Sequence, residues 1–294
     1  MIPKEVIRKI RRIQITTSRK VTDVFAGKYQ SVFKGAGMEF DEVRNYNPGD
    51  EIRSIDWNVT ARMGHPFVKK FVEERELTIM ILLDVSMSKK YGTAGSLKSE
   101  LAAEFCSVIA FSATKNNDKV GVITFTDRIE RFIPPRKGLR HVLRVIREGL
   151  YNEPEDTGTN IKKVLEHLNR VSTRRTITFL VSDFIDEDYA RTLAITNKRH
   201  DVIAVAVTDP SEIKLPSSGM VRFRDAETGT FFTVDTSSSQ ASGLYGKAAE
   251  EFIKKRSDIF KEAGVDSIEL RTDTSYVEPL IRFFKKRRKR ITAR

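Results

Sequence analysis

The chain has 294 residues, 39% of them hydrophobic, enough for one large α/β domain with an appendage or for two modest domains with a real core. Its apolar runs are strand-length, far short of the roughly 20 residues a membrane-spanning helix needs, and no basic-then-apolar leader opens it, so a cytoplasmic protein is expected. The net charge of +12 is concentrated at the ends, with +6 over residues 1–20 and +8 over residues 279–294, leaving −2 between them; this argues against a nucleic-acid-binding face spread across the fold.

In chain order, residues 1–28 form a basic amphipathic segment in which Ile2, Val6, Ile10 and Ile13 recur at helical spacing, read as packing on its own domain rather than on a membrane. Residues 29–76 change character. Short alternating runs, the break at Gly35 to Gly37 and the Pro48-Gly49 turn predict a small β-rich segment. It holds the only tryptophan, Trp57, beside Asp56 and close to Arg53 and Arg62. Two readings stand for this block. The leading one is a buried ion-pair and aromatic cluster that fixes the small β segment to the main sheet. The other is a partner-binding face made by Arg44, Asp50, Arg53, Asp56, Trp57 and Arg62.

Residues 77–278 are periodic. A strand over 77–84 leads to a helix at about 94–115, then a strand from Lys119 to Thr126 and a second, "RIERFIPP", joined to it by a tight turn and so antiparallel. Helices follow near 137–150 and 159–171, then the strand "RTITFLVS", a helix near 187–198 and the strand "DVIAVAVT". A hairpin turning at Glu227 to Gly229, a long helix near 239–264, the strand "SIEL" and a helix from Val277 to Lys286 complete the list. This alternation predicts an α/β fold with a Rossmann-like, doubly wound, mostly parallel sheet. Residues 279–294 form a basic C-terminal tail. Cys106 falls in an apolar helical pattern and reads as core; His65, His141, His167 and His200 lack ligand spacing, which speaks against zinc.

In an open α/β sheet, ligands gather beyond the carboxyl ends of the strands. The first strand of this domain ends in Asp84, with Ser86 and Ser88 at alternate positions after it, and "RTITFLVS" is followed by Asp183. Thr159 follows Gly158 on a loop that precedes a helix. One carboxylate and several hydroxyls at one edge are hard oxygen donors and suit Mg2+, Mn2+ or Ca2+. The competing reading is turn and helix-cap chemistry, since Ser and Asp satisfy free backbone N–H groups at helix starts.

"DVSMS", "TGTN" and "VSDF" resemble the metal-ion-dependent adhesion site of von Willebrand factor A domains. That resemblance implies a sheet of the von Willebrand factor A type, with Asp84, Ser86, Ser88 and Thr159 as metal ligands or near ligands and Asp183 as an indirect, water-linked one. The stretch "GMEFDEVRNYNPGDEIRSIDWNVTAR", with Glu39-Phe40, Arg44, Tyr46, Gly49-Asp50, Arg53, Ile55 to Trp57 and Ala61-Arg62, is similar to the family known as domain of unknown function fifty-eight. It implies an adaptor or co-chaperone of a MoxR-type AAA+ ATPase, with a partner carboxylate as the adhesion-site ligand.

An enzyme is the rival class. The haloacid-dehalogenase pattern needs a second Asp where Ser86 stands, and no GxxxxGK[ST] phosphate loop occurs. A metal-dependent hydrolase or phosphatase, and an RNA- or membrane-surface scaffold acting through the basic ends, are the alternatives to a non-enzymatic protein-interaction module.

Overall fold

The run Leu77 to Asp84 has no charge before its last residue, and its strand is buried on both sides. Such a strand belongs at the centre of a sheet covered by helices on both faces. That is its position in the computed structural model, which describes residues 39–72, 76–86, 91–93, 96–150, 158–224 and 230–292. The amphipathic segment 1–28, Ser88 and the turn at Glu227 to Gly229 lie outside the described residues.

The described residues fall into two compact units, one ending at Leu77 and one beginning at Thr78. In the first, β1 (Glu39–Asn45) pairs antiparallel with β2 (Phe67–Val72), with a register shift between Phe40 and Glu42. Between them lies a short helix, α1 (Trp57–Met63), capped by Asp56, whose side chain accepts the N–H groups of Asn58 and Val59. Gly64, at φ +75°, ends it in the left-handed conformation that glycine adopts without penalty. The Phe67 N–H then donates to Thr60 Oγ1 at 3.0 Å, tying α1 to β2.

The second unit is built on six strands: β3 (Thr78–Asp84), β4 (Lys119–Phe125), β5 (Ile129–Arg136), β6 (Ile177–Ser182), β7 (Asp201–Thr208) and β10 (Asp266–Arg271). Their order is β10-β7-β6-β3-β4-β5, with every neighbouring pair parallel except β4 and β5. Gly121 on β4 permits this edge pairing, because a Cβ there would stand 2.8 Å from the Ile133 carbonyl and from Met80 Sδ. Side chains alternate between two layers. Met80, Leu82 and Leu180 meet α4 (Ile161–Val171), α5 (Ala190–Arg199) and α7 (Ser239–Glu262) through Val164, Leu168, Leu193 and Phe260. Ile81 and Leu83 face α2 (Lys98–Lys115) and α3 (Leu139–Leu150), meeting Ala103, Cys106, Val145 and Ile146. Cys106 is core, as its pattern predicts, and burial pushes its thiol up to about 12, so it is a neutral packing group.

A separate hairpin, β8 (Met220–Arg224) with β9 (Phe231–Asp235), stacks Phe223 on Phe232 with ring centroids 5.6 Å apart. The short α6 (Pro210–Ile213) follows β7, and α8 (Val277–Thr292) follows β10. The last helix runs past the expected Lys286 because its buried Leu280, Phe283 and Phe284 seat it on the domain, while Arg287 pairs with Asp201 and Asp266, the first residues of β7 and β10. Among the described residues no helix is long and apolar enough to cross a membrane.

His200, just after α5, gives the fold a pH response. It is fully buried; the Thr176 N–H donates to Nδ1 at 3.3 Å, and the Thr176 hydroxyl lies 3.0 Å away. Burial, followed by the charges of Arg199 and Arg175, pushes the imidazole down to about 4. The folded form therefore holds it neutral while the unfolded chain gains a proton near 6.5, so its contribution to stability is full above 6.5 and is lost as pH falls towards about 4. Urea midpoints measured between these limits should fall less steeply for His200→Asn than for the wild type; parallel curves would contradict the assignment.

Candidate functional site

Strand register builds the site. Leu83 pairs with Val181, so the next positions along this parallel ladder are Asp84 and Ser182, on the sheet face that carries Met80, Leu82 and Leu180. The Ser182 hydroxyl donates to Asp84 Oδ2 at 2.6 Å, and the Ser86 N–H donates to Oδ1 at 3.0 Å. Asp84 is 1% exposed and Ser86 2%. A carboxyl group at that depth requires donors, and these two fix its plane.

Backbone ties draw neighbouring loops to the same rim. Val85 donates to the Phe125 carbonyl at the end of β4, and Asn160 donates to the next carbonyl, Thr126, both at 2.9 Å. Asn160 also caps α4 by accepting the Lys163 N–H, while Asp186 accepts the Ile161 N–H at 2.6 Å. Thr159, half-buried, therefore sits on a loop held both to β4 and to the segment after β6. Asp183 follows Ser182 directly. Phe184 then takes a left-handed φ of +62°, a conformation that costs an ordinary L residue about 1–2 kcal/mol. Its ring packs on Phe260 at 4.8 Å, and its N–H donates to Ser182 Oγ at 3.0 Å, which sustains the turn.

The Asp183 carboxylate has an unexpected neighbour. Lys98, the first residue of α2 and 0% exposed, donates from Nζ to Asp183 Oδ2 at 2.9 Å and to Glu212 Oε1 at 2.6 Å. Burial alone would lower this ammonium's pKa; the fields and hydrogen bonds of Asp183 and Glu212 outweigh it and hold the pKa above its ordinary value. From α7, Arg256 donates to the Asp183 carbonyl at 3.2 Å and to Glu269 on β10 at 2.7 Å. Beside this group, Asp209 accepts from Thr93, Ser211 and Thr272, which outweigh its burial and hold its carboxyl well below the usual range.

Sequence reasoning did not find Lys98, Ser182, Asp186 or Glu212. Lys98 looks like a solvent-facing residue at a helix start, and the only hint was a surplus of acids at the strand ends that a buried cation could balance. Asp186 is also shifted: burial raises its carboxyl pKa, the Ile161 and Glu187 N–H groups oppose the rise, and the nearby Asp84 adds to it.

The donor chemistry fits a hard cation at Asp84 and Ser86, where a buried, oriented carboxyl group adjoins a hydroxyl residue. The fit is weaker at Asp183, which already has an ammonium partner. Among the described residues no group of three or more His, Cys, Asp or Glu side chains could hold a metal, so an ion here would rely on hydroxyls with one or two acids.

The Arg-Asp-Trp block corrects the leading expectation for it. Trp57 is 66% exposed, and Arg53 and Arg62 are also exposed, so no buried aromatic cluster forms around them. Asp56 caps α1. Arg44 and Asp50 form a two-pronged contact near the surface, at 2.7 and 2.8 Å.

Fold and rim together define a doubly wound α/β protein with an oxygen-rich edge at the ends of β3 and β6. The chain belongs to the family described as "Protein of unknown function DUF58", whose model matches residues 42–253. The uncharacterized protein Rv1480 of Mycobacterium tuberculosis (strain ATCC 25618 / H37Rv) is 30% identical over 289 residues, covering 95% of this chain and 89% of its own. Among solved structures, the conserved hypothetical protein BatB from Bacteroides thetaiotaomicron is similar with a TM-score of 0.46 at 17% identity, over 72% of this chain and 99% of that one. An aerotolerance-related membrane protein from Bacteroides fragilis NCTC 9343 gives 0.49 at 18%, over 73% and 99%.

Replacing Lys98 by Met should destabilise the second unit by about 3–5 kcal/mol, because it leaves two carboxylates without their buried cation. Adding Asp183→Asn should recover part of that loss in urea titrations; additive losses would mean that the pair is not coupled. In the first unit, Asp56→Ala should cost about 1 kcal/mol of helix capping, whereas Trp57→Ala should leave thermal stability within about 0.5 kcal/mol.

Proposed function

We propose that this chain is a non-enzymatic protein-interaction module whose rim holds a divalent cation, Mg2+ or in its place Mn2+ or Ca2+, through Asp84, Ser86, Ser88 and Thr159. The observation that carries this reading is the buried Asp84 carboxyl group, with one oxygen held by the Ser86 N–H and the other by the Ser182 hydroxyl, at the edge where the loop of Thr159 is tied down. When bound, the ion supplies a Lewis-acidic position that an Asp or Glu of a partner protein completes. Ser86 and Thr159 offer hydroxyl oxygen, while Asp183 acts indirectly by holding Lys98 and so the start of α2 in place.

The Ser182 hydroxyl favours binding over turnover. It is buried and engaged twice, donating to Asp84 and accepting from Phe184, which makes it an orienting group and not an accessible nucleophile. The partnership implied by the family resemblance, adaptor or co-chaperone to a MoxR-type AAA+ ATPase in the cytoplasm, gives the first unit its role. Its exposed Trp57, Arg53 and Arg62 are the kind of side chains that anchor protein interfaces.

Calorimetry tests the ion directly. Wild-type protein should release or absorb heat on Mg2+ or Mn2+ addition with a saturable isotherm, and Asp84→Asn or Ser86→Ala should weaken binding by at least about tenfold. Isotherms that overlay the wild type would remove the site. Capture of the AAA+ partner should likewise fall in chelator if the carboxylate bridge operates.

A further inference from the structure

The geometry points to a second interaction surface, at the opposite end of the sheet from the rim: the outward face of α8 is a docking stripe for an anionic lipid bilayer. The helix begins after β10 and runs back along the domain, so that Arg287 reaches Asp201 and Asp266 at the starts of β7 and β10. Buried Leu280, Phe283 and Phe284 and half-buried Arg287 occupy its inner side. At about 100° per residue, the opposite side collects Arg282, Lys285, Lys286 and Lys289, all exposed and spaced i, i+3, i+4 and i+7. These four basic residues span about 10 Å of helix axis, and the only acid on α8, Glu278, lies in its first turn.

The chemistry of this stripe selects its occupant. Every large apolar side chain described on α8 is buried or half-buried, so the described side chains offer neither an apolar anchor for a protein interface nor a wedge for the acyl region, and their contact is electrostatic. Nucleic acid is disfavoured on this stripe because both α8 phenylalanines are packed inward, leaving no ring of α8 among them for base stacking. A planar array of lipid phosphates asks for no more than a convex basic strip.

The test is co-sedimentation of the full chain with vesicles of phosphatidylcholine containing about one-third phosphatidylglycerol, and with phosphatidylcholine alone. The wild type should partition to the anionic vesicles only, and less so as salt rises. Lys285→Gln with Lys289→Gln should lower partitioning on the order of 30-fold, with an unchanged circular-dichroism spectrum. Lys254→Gln with Lys255→Gln, which removes the same charge from the exposed side of α7, should leave it near the wild-type level. Equal losses in the two double variants, an unaffected α8 variant, uptake by neutral vesicles, or tighter binding of an RNA oligomer at matched phosphate concentration would each overturn the proposal.

Discussion

A lysine ammonium shut away from water between two carboxylates is the constraint on which the second unit's rim depends. Lys98 has almost no exposed side-chain surface, Asp183 has 4% and Glu212 25%. Removing such charges from water costs several kcal/mol per ion, and attraction at about 3 Å in a partly polarisable interior returns a similar amount. The net contribution to stability is therefore small, but the geometric demand is large. Three segments distant in sequence, the start of α2, the end of β6 and α6 after β7, must arrive together or leave a buried charge alone.

From that point the polar edge extends in both directions. Glu212 accepts the Asp209 N–H at 2.8 Å as well as Lys98, and Asp209 gathers Thr93 from the loop after β3 and Thr272 from the end of β10. On the other side, the backbone of Asp183 connects to Ser182 and so to Asp84. Arg256 adds α7 by bonding the Asp183 carbonyl. Chains of this kind polarise their members and resist partial disruption, so the strand ends β3, β6, β7 and β10 are held as one polar layer above an apolar core. A rigid layer suits a binding edge, because less ordering has to accompany the arrival of a partner.

The sheet was legible in the sequence because its signals are local. β3, β6 and β7 are short apolar runs, the helices between them repeat at 3.6 residues, and the turn after Phe125 marks the antiparallel edge strand. The placement of Asp84, Ser86 and Asp183 at the sheet's edge was legible for the same reason, each standing at or just after the end of such a run. What was hidden is pairing at long range: Lys98 meets Asp183 across 85 positions and Glu212 across 114, separations at which no periodicity survives. Trp57 was misjudged by a related route. Charges beside an aromatic ring look like a buried cluster on paper, but the Trp57 ring, at the first helical position, is 66% exposed.

The polarity of a parallel sheet separates the two ends of this unit chemically. All strand carboxyl ends except that of β5 point to one edge, where loops bring Asp84, Asp183, Asp186, Asp209 and Glu212. The amino ends lie about 20 Å away, and there the starts of β7 and β10 contribute Asp201 and Asp266, which α8 covers with arginines near its own carboxyl terminus. A helix end carries partial negative charge, so Lys289 and Arg290 in the last turn are favoured by the peptide dipoles before any contact is counted. Acid accumulates at the carboxyl edge, and arginine gathers over the acids of the amino edge, because chain direction fixes where each loop and helix terminus falls.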